Sequence, residues 1–193
     1  MRNDFSILLV LKDRPQYTKR FMNHLVANLF PFKVLIADGG KDTNIQRLFE
    51  ENAWPSIDYE YVRYPYDATL DDFYEKMADA VSRIQTKFVS VMDNDDFILT
   101  EGIEKCVEIL KDPRYSSARG RIDDMEGNNM YTKFPNSITG ETVLDRVRDQ
   151  TKHFHGNWHN VTRTEHVQAC WSMLNITKPK NMRFTEHVTG YLN

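Results

Sequence analysis

The sequence predicts an α/β fold, a mostly parallel central sheet with helices on both faces, and three observations carry the prediction. Short apolar runs alternate with helix-period repeats from residue 6 to residue 112. The first of these runs, residues 6–11, is continuous, as expected of a strand covered on both sides. Polar residues collect just after the runs end: Lys12 and Arg14, then Asp38, then Asp93, Asn94, Asp95 and Asp96. In an open parallel sheet those ends form one rim, which is where ligands bind.

Each element follows from local pattern. Residues 6–11 form the first strand, and 17–29 follow as a helix with Phe21, Leu25 and Leu29 on one face. Residues 33–37 are a second strand, stopped at Asp38-Gly39-Gly40, after which Ile45, Leu48 and Phe49 share a helical face. Residues 59–64 alternate as a third strand. Thr69-x-x-Asp72 then opens a helix whose core face is Leu70, Phe73, Met77, Val81 and Ile84. Residues 87–92 are the fourth strand. Thr100 is expected to cap the next helix, which carries Ile103, Val107 and Leu110 and is limited by Pro113. A fifth strand is expected over 117–122. Residues 123–142 dissolve into Gly, Asn, Asp and Pro, too long for an ordinary connection and so a functional or a mobile loop. Residues 165–174, with Val167, Cys170, Trp171 and Leu174, read as a core helix without chemistry.

Composition removes several function classes. A length of 193 residues suits one domain with a full core. Lys and Arg number 25 against 28 Asp and Glu, and with no basic tract the footprint of a nucleic-acid binder is missing. Two cysteines, Cys106 and Cys170, support neither a disulfide framework nor a thiolate zinc site, and a reducing compartment fits best. With no membrane-spanning run and no signal-peptide pattern, the expected location is cytoplasmic, peripheral membrane contact staying open.

Residues 88–97 carry the strongest functional signal, since an apolar run ends in three carboxylates within four residues. Such groups repel one another, and burial raises their pKa, unless a divalent cation, a cationic group or several donors hold them ionised. A hard cation carrying a phosphate-bearing substrate is the simplest compensation. A solvated Asp-rich turn is the alternative.

Lys12-Asp13-Arg14-Pro15 after the first strand, Ala37-Asp38-Gly39 at the end of the second and Met92-Asp93-Asn94-Asp95-Asp96-Phe97 at the end of the fourth together resemble a family 2 type glycosyltransferase of the GT-A fold, in its DxD glycosyltransferase group. The likeness is good over residues 6–110. It implies one GT-A domain over 1–193, with a nucleotide-binding half at 1–112 and an acceptor-side half at 113–193. It implies transfer of a sugar, with inversion, from a nucleotide-diphosphate donor to a glycan or other hydroxyl acceptor, with Mn²⁺ or Mg²⁺ as cofactor. By the same resemblance Asp38 contacts the base, Leu11, Lys12 and Arg14 border the nucleotide, and Asn94 lies among them. Asp93 would lie near the ribose or donor sugar and share the metal with Asp95, or with Asp96 if the register is shifted by one.

An inverting transferase also needs a carboxylate to take the acceptor proton. The family's Glu-Asp pair has its nearest match in Glu186-His187, where the second member has become His, so either residue is a candidate and Asp123 and Asp124 stand in reserve. His153, His155 and His159 have zinc-like spacing but no completing ligand nearby. The stretch 153–158 with Asn157-Trp158 reads better as an acceptor-side loop, an aromatic face against sugar C–H groups. The chain ends at Asn193, as an excised domain or a compact version would. Two other classes stay in view: a GT-A-like module that binds a nucleotide sugar or partner without catalysis, and a haloacid-dehalogenase-like phosphatase using Asp93 as nucleophile and Asp95 as acid/base.

Overall fold

A computed structural model of the protein describes residues 4–124, 126–128, 137–152, 154 and 156–191. Six strands form one sheet in the order β3-β2-β1-β4-β6-β5. The first four, β1 (Phe5–Leu11), β2 (Lys33–Asp38), β3 (Tyr59–Arg63) and β4 (Phe88–Asp93), are parallel to their neighbours. β1 is central, and all seven of its residues are buried. Its alternation divides the core: Ile7, Leu9 and Leu11 face one cluster, while Leu8 and Val10 face the other.

Helices cover both faces, as the sequence predicts. On one side lie α1 (Pro15–Ala27), α2 (Thr43–Glu50) and α4 (Thr100–Ile109), which contribute Phe21, Leu25, Phe49 and Val107 to the first cluster. The other face packs α3 (Leu70–Ser82) and α6 (Thr164–Thr177) through Met77, Val81, Trp171 and Leu174. The start of α3 is set by the expected capping box: Thr69 Oγ1 accepts from the Asp72 amide while the Asp72 carboxylate accepts from the Thr69 amide at 2.8 Å.

Three local expectations are corrected. Leu29 is not on the core face of α1. The helix ends at Ala27, the Phe30 amide reaches back to Leu25 O at 3.0 Å, and Leu29 turns the chain at φ 49° with its side chain 84 % exposed. Thr100 is the first residue of α4 rather than its cap, which is Leu99, and the Thr100 hydroxyl is buried without a partner. The fifth strand shrinks to β5 (Ser117–Ala118), an edge strand.

Two elements were not anticipated, α5 (Val143–Lys152) and the three-residue β6 (Val161–Arg163). β6 runs antiparallel to β4, pairing Val89 with Thr162 and Phe88 with Arg163. An antiparallel neighbour enters at the end where β4 exits. The residues just before β6 are therefore delivered to the polar rim. The last element is α7 (Met182–Tyr191), and among the described residues no helix is long and apolar enough to cross a membrane.

Leu29 occupies a left-handed position that glycine takes without strain, so Leu29→Gly is expected to stabilise the protein by about 0.5–1 kcal/mol, read from the midpoint of urea unfolding.

Candidate active site

The rim is built by the ends of β1, β2 and β4 and by the segment entering β6. At the exit of β4, Asp93 and Asp96 converge with His159, one ligand atom from each lying within 4.8 Å of the others. His159 is held there by backbone: its amide donates to Val91 O at 3.2 Å and its carbonyl accepts from Ser90 Oγ at 3.1 Å. Both partners belong to β4. The residue adopts φ 71°, a left-handed backbone that a non-glycine side chain tolerates only when its surroundings enforce it.

The electrostatics of the three groups differ. Burial pushes the Asp93 carboxyl up, against the opposing pull of His159 and of Trp158 Nε1, which donates to Asp93 Oδ2 at 2.8 Å. His159 Nε2 lies 3.0 Å from Asp96 Oδ2 without the geometry of a hydrogen bond, and its proximity holds the Asp96 carboxyl below the usual carboxylate range. A buried imidazole nitrogen beside two carboxylates, making no hydrogen bond of its own, suits a cation better than it suits a closed ion pair. Adjacent ligands of an octahedral ion at about 2.1 Å stand roughly 3 Å apart, the spacing of His159 Nε2 and Asp96 Oδ2. The donor set fits a divalent metal.

Asp95 faces the other way. Its carboxylate pairs with Arg14 Nη1 at 2.6 Å, and its carbonyl accepts from Arg20 Nη2 at 2.5 Å. Arg14 and Arg20 both lie over the Tyr17 ring. Asn94 turns inward to donate to Thr18 Oγ1 at 2.9 Å and to the Arg14 carbonyl at 3.3 Å, tying β4 to the start of α1. The structure thus groups Asp93 with Asp96, the shifted register, and adds a histidine.

Asp38, at the end of β2, is buried and accepts three donors: the Gly40 amide at 2.8 Å, Tyr61 OH at 2.7 Å and Arg63 Nη1 at 2.6 Å. Leu11 sends its side chain into the core and offers its carbonyl to the Gly39 amide at 3.0 Å. Lys12 Nζ donates to the Asp67 carbonyl at 2.5 Å. Asp67 and Lys76 form an ion pair that sequence reasoning missed, each side chain no more than 2 % exposed. The signal was a lysine on the buried face of α3, between Phe73 and Ala80.

Glu186 and His187 are exposed on α7. That helix is anchored by a 2.5 Å hydrogen bond between Tyr74 OH and Thr185 Oγ1, and by Asn157 Nδ2, which donates to Thr189 O at 3.0 Å. The His187 ring lies 4.1 Å from that of Phe154. Trp158 spends its edge on Asp93 and packs its ring against Trp171, centroids 6.2 Å apart. Asp123 is paired with Arg121 at 2.5 Å, and Asp124 accepts from the amides of Glu126 and Asn128 in a tight turn. His153 and His155 lie outside the described residues.

A mostly parallel sheet with helices on both faces and an acidic cluster at the exit of its fourth strand has the architecture of the GT-A class of nucleotide-sugar transferase folds. The chain belongs to glycosyl transferase family 2, whose family model matches residues 6–171. No match was found among the curated proteins compared. Solved structures of the same fold include TarS from S. aureus, at 16 % identity with a TM-score of 0.65, the match covering 86 % of this chain and 29 % of that one. TarS 1–349 in complex with UDP-GlcNAc gives 18 % identity and 0.60, covering 86 % and 47 %. A mannosyltransferase from Pyrobaculum calidifontis in complex with GDP-Man and Mn²⁺ gives 13 % and 0.53, covering 64 % and 36 %. This chain spans about half, or less, of the structures it matches.

Trp158→Phe keeps an aromatic ring against Trp171 but removes the donor that orients Asp93. Mn²⁺ binding, titrated by electron paramagnetic resonance, is expected to weaken about tenfold, with a melting temperature within a few degrees of the parent.

Proposed function

We propose that the protein is a metal-dependent glycosyltransferase that moves a sugar from a nucleotide-diphosphate donor to an acceptor hydroxyl with inversion. The observation that carries this reading is the convergence of Asp93, Asp96 and His159 at the exit of β4 in a chain of family 2. Carboxylates suit Mg²⁺ and Mn²⁺, whereas imidazole favours a transition ion, so Mn²⁺ meets the donor set better. When bound, the metal supplies positive charge that offsets the charge growing on the departing nucleoside diphosphate.

In this reading the protein's own residues divide the work. Asp93, Asp96 and His159 hold the ion. Arg14, on the loop after β1, turns its guanidinium from Asp95 toward the donor phosphates, a planar fork suited to them. Asp38, fixed by Tyr61 and Arg63, shapes the nucleoside end of the rim. Glu186 or His187 accepts the proton of the acceptor hydroxyl, so that residues 1–112 carry most of the nucleotide bed and residues 113–193 carry the acceptor side together with the metal ligand His159. The reading is supported by solved structures of the same fold that carry UDP-GlcNAc or GDP-Man with Mn²⁺.

A thermal-shift screen with UDP-, GDP-, CDP- and TDP-sugars, each with Mn²⁺, tests it, because a ligand that favours the folded state raises the melting temperature. One donor class is expected to give a shift that disappears on chelation and in Asp96→Asn and His159→Ala, accompanied by release of the nucleoside diphosphate. Metal-dependent binding without release would instead favour a non-catalytic module. No shift with any donor would contradict the proposal.

A further inference from the structure

The buried pair of Asp67 and Lys76 is a costly object that the chemistry above does not use. Asp67 lies in the loop after β3 and Lys76 on α3, each 2 % exposed. Burial pushes the Asp67 carboxyl up and the Lys76 ammonium down, while their direct contact opposes both. Taking two charges out of water costs several kcal/mol per ion, and apolar residues of similar volume are often as stable or more so. The neighbours of Lys76 along α3, Phe73, Met77 and Ala80, would accept such a replacement. Stability alone therefore does not account for the pair.

Its contacts show what it does. Lys76 Nζ donates to the Leu11 carbonyl at 3.1 Å and to Asp67 Oδ2. The Leu11 carbonyl also accepts from the Gly39 amide, and the Gly39 carbonyl accepts from the Asp67 amide, both at 3.0 Å. Lys12 Nζ closes a further link to the Asp67 carbonyl. A ring thus runs from the end of β1 through the turn after β2 and the loop after β3 to α3. Gly39 is held so tightly in it that a Cβ would collide with the Asp67 carboxylate. These are the loops that carry Lys12, Arg14 and Asp38. The ring contains no group from the exit of β4 or the entry to β6, where the metal cluster lies.

We infer that Lys76, through Asp67, is a positioning residue for the donor nucleotide: the buried cation locks the loops after β1, β2 and β3 into one rigid cradle. This rests on the proposed function, since that reading makes those loops the donor's bed. A geometric lock acts on nucleotide affinity and leaves the metal site alone. A device for stability would act on the melting temperature and leave the affinity of the folded protein alone.

The test is the double variant Asp67→Asn/Lys76→Met, which removes both charges together, with Asp67→Asn as the companion that keeps the shape of the side chain while withdrawing the counter-charge of Lys76. Calorimetry with UDP-GlcNAc and with GDP-mannose, each with Mn²⁺, measures the donor, and paramagnetic titration measures Mn²⁺ alone. The double variant is expected to melt near the parent, bind Mn²⁺ within twofold of it, and bind the parent's donor at least tenfold more weakly. For nucleoside diphosphate release, the donor KM should rise with kcat within about twofold. If the double variant does not fold, Asp67→Asn is expected to show a rise in donor Kd of threefold or more at unchanged Mn²⁺ affinity. Donor affinity unchanged in a folded variant would overturn the inference. A parent chain that binds Mn²⁺ but neither nucleotide sugar would instead count against the functional reading beneath it.

Discussion

Mutual repulsion among carboxylates at the exit of β4 is the constraint around which the rest of the rim is arranged. Asp93, Asp95 and Asp96 lie within four residues, and each is compensated separately. Asp95 is turned toward Arg14, the residue just before α1. Asp93 takes a hydrogen bond from Trp158, and Asp96 is approached by His159. Their partners come from two directions, the start of α1 and the entry to β6. Both elements flank β4, one following its parallel neighbour β1 and one preceding its antiparallel neighbour β6. Strand order thus decides which charges are neutralised by protein and which are left for a cation.

Two kinds of fixed charge meet on this rim. On the β1 to β3 side, charge is paired internally: Asp38 with Arg63, and Asp67 with Lys76. At the end of β4, the charge is only half compensated, and a buried imidazole nitrogen lacks a hydrogen-bond partner. The β1 to β3 side fixes shape through its two internal ion pairs, while the cluster at the end of β4 is left open to a cation. Under the proposed function, that division gives the donor's nucleoside a rigid bed and meets its phosphates with a metal ion.

Much of this was legible in the sequence because the parallel strands are long, apolar and bounded. The run 6–11, the stop at Asp38-Gly39-Gly40, the Thr69-x-x-Asp72 box and the acid-rich exit at 93–96 each carry their own local cause, and each stands where expected. His159 was harder to read. Its place depends on β6, whose three residues are too few for a periodic signal, and its nearest sequence companions, His153 and His155, suggested a different ligand set. The register within Asp93-Asn94-Asp95-Asp96 was equally hidden. Which carboxylate turns inward depends on Arg14 and Arg20, some eighty residues away, and sequence spacing cannot express a contact of that range. The pairing of Lys76 with Asp67 shows the same limit, since a lysine within an amphipathic helix looks solvated until its partner is known.

Anomalous diffraction from crystals grown with Mn²⁺ and a nucleoside diphosphate tests most directly whether Asp93, Asp96 and His159 together hold a divalent ion at the exit of β4. One strong peak is expected at about 2.0–2.2 Å from a carboxylate oxygen of each aspartate and from His159 Nε2, with Asp95 outside the coordination sphere. A peak centred on Asp95 and remote from His159, or no peak at the rim in crystals that diffract well with both ligands present, would contradict that arrangement.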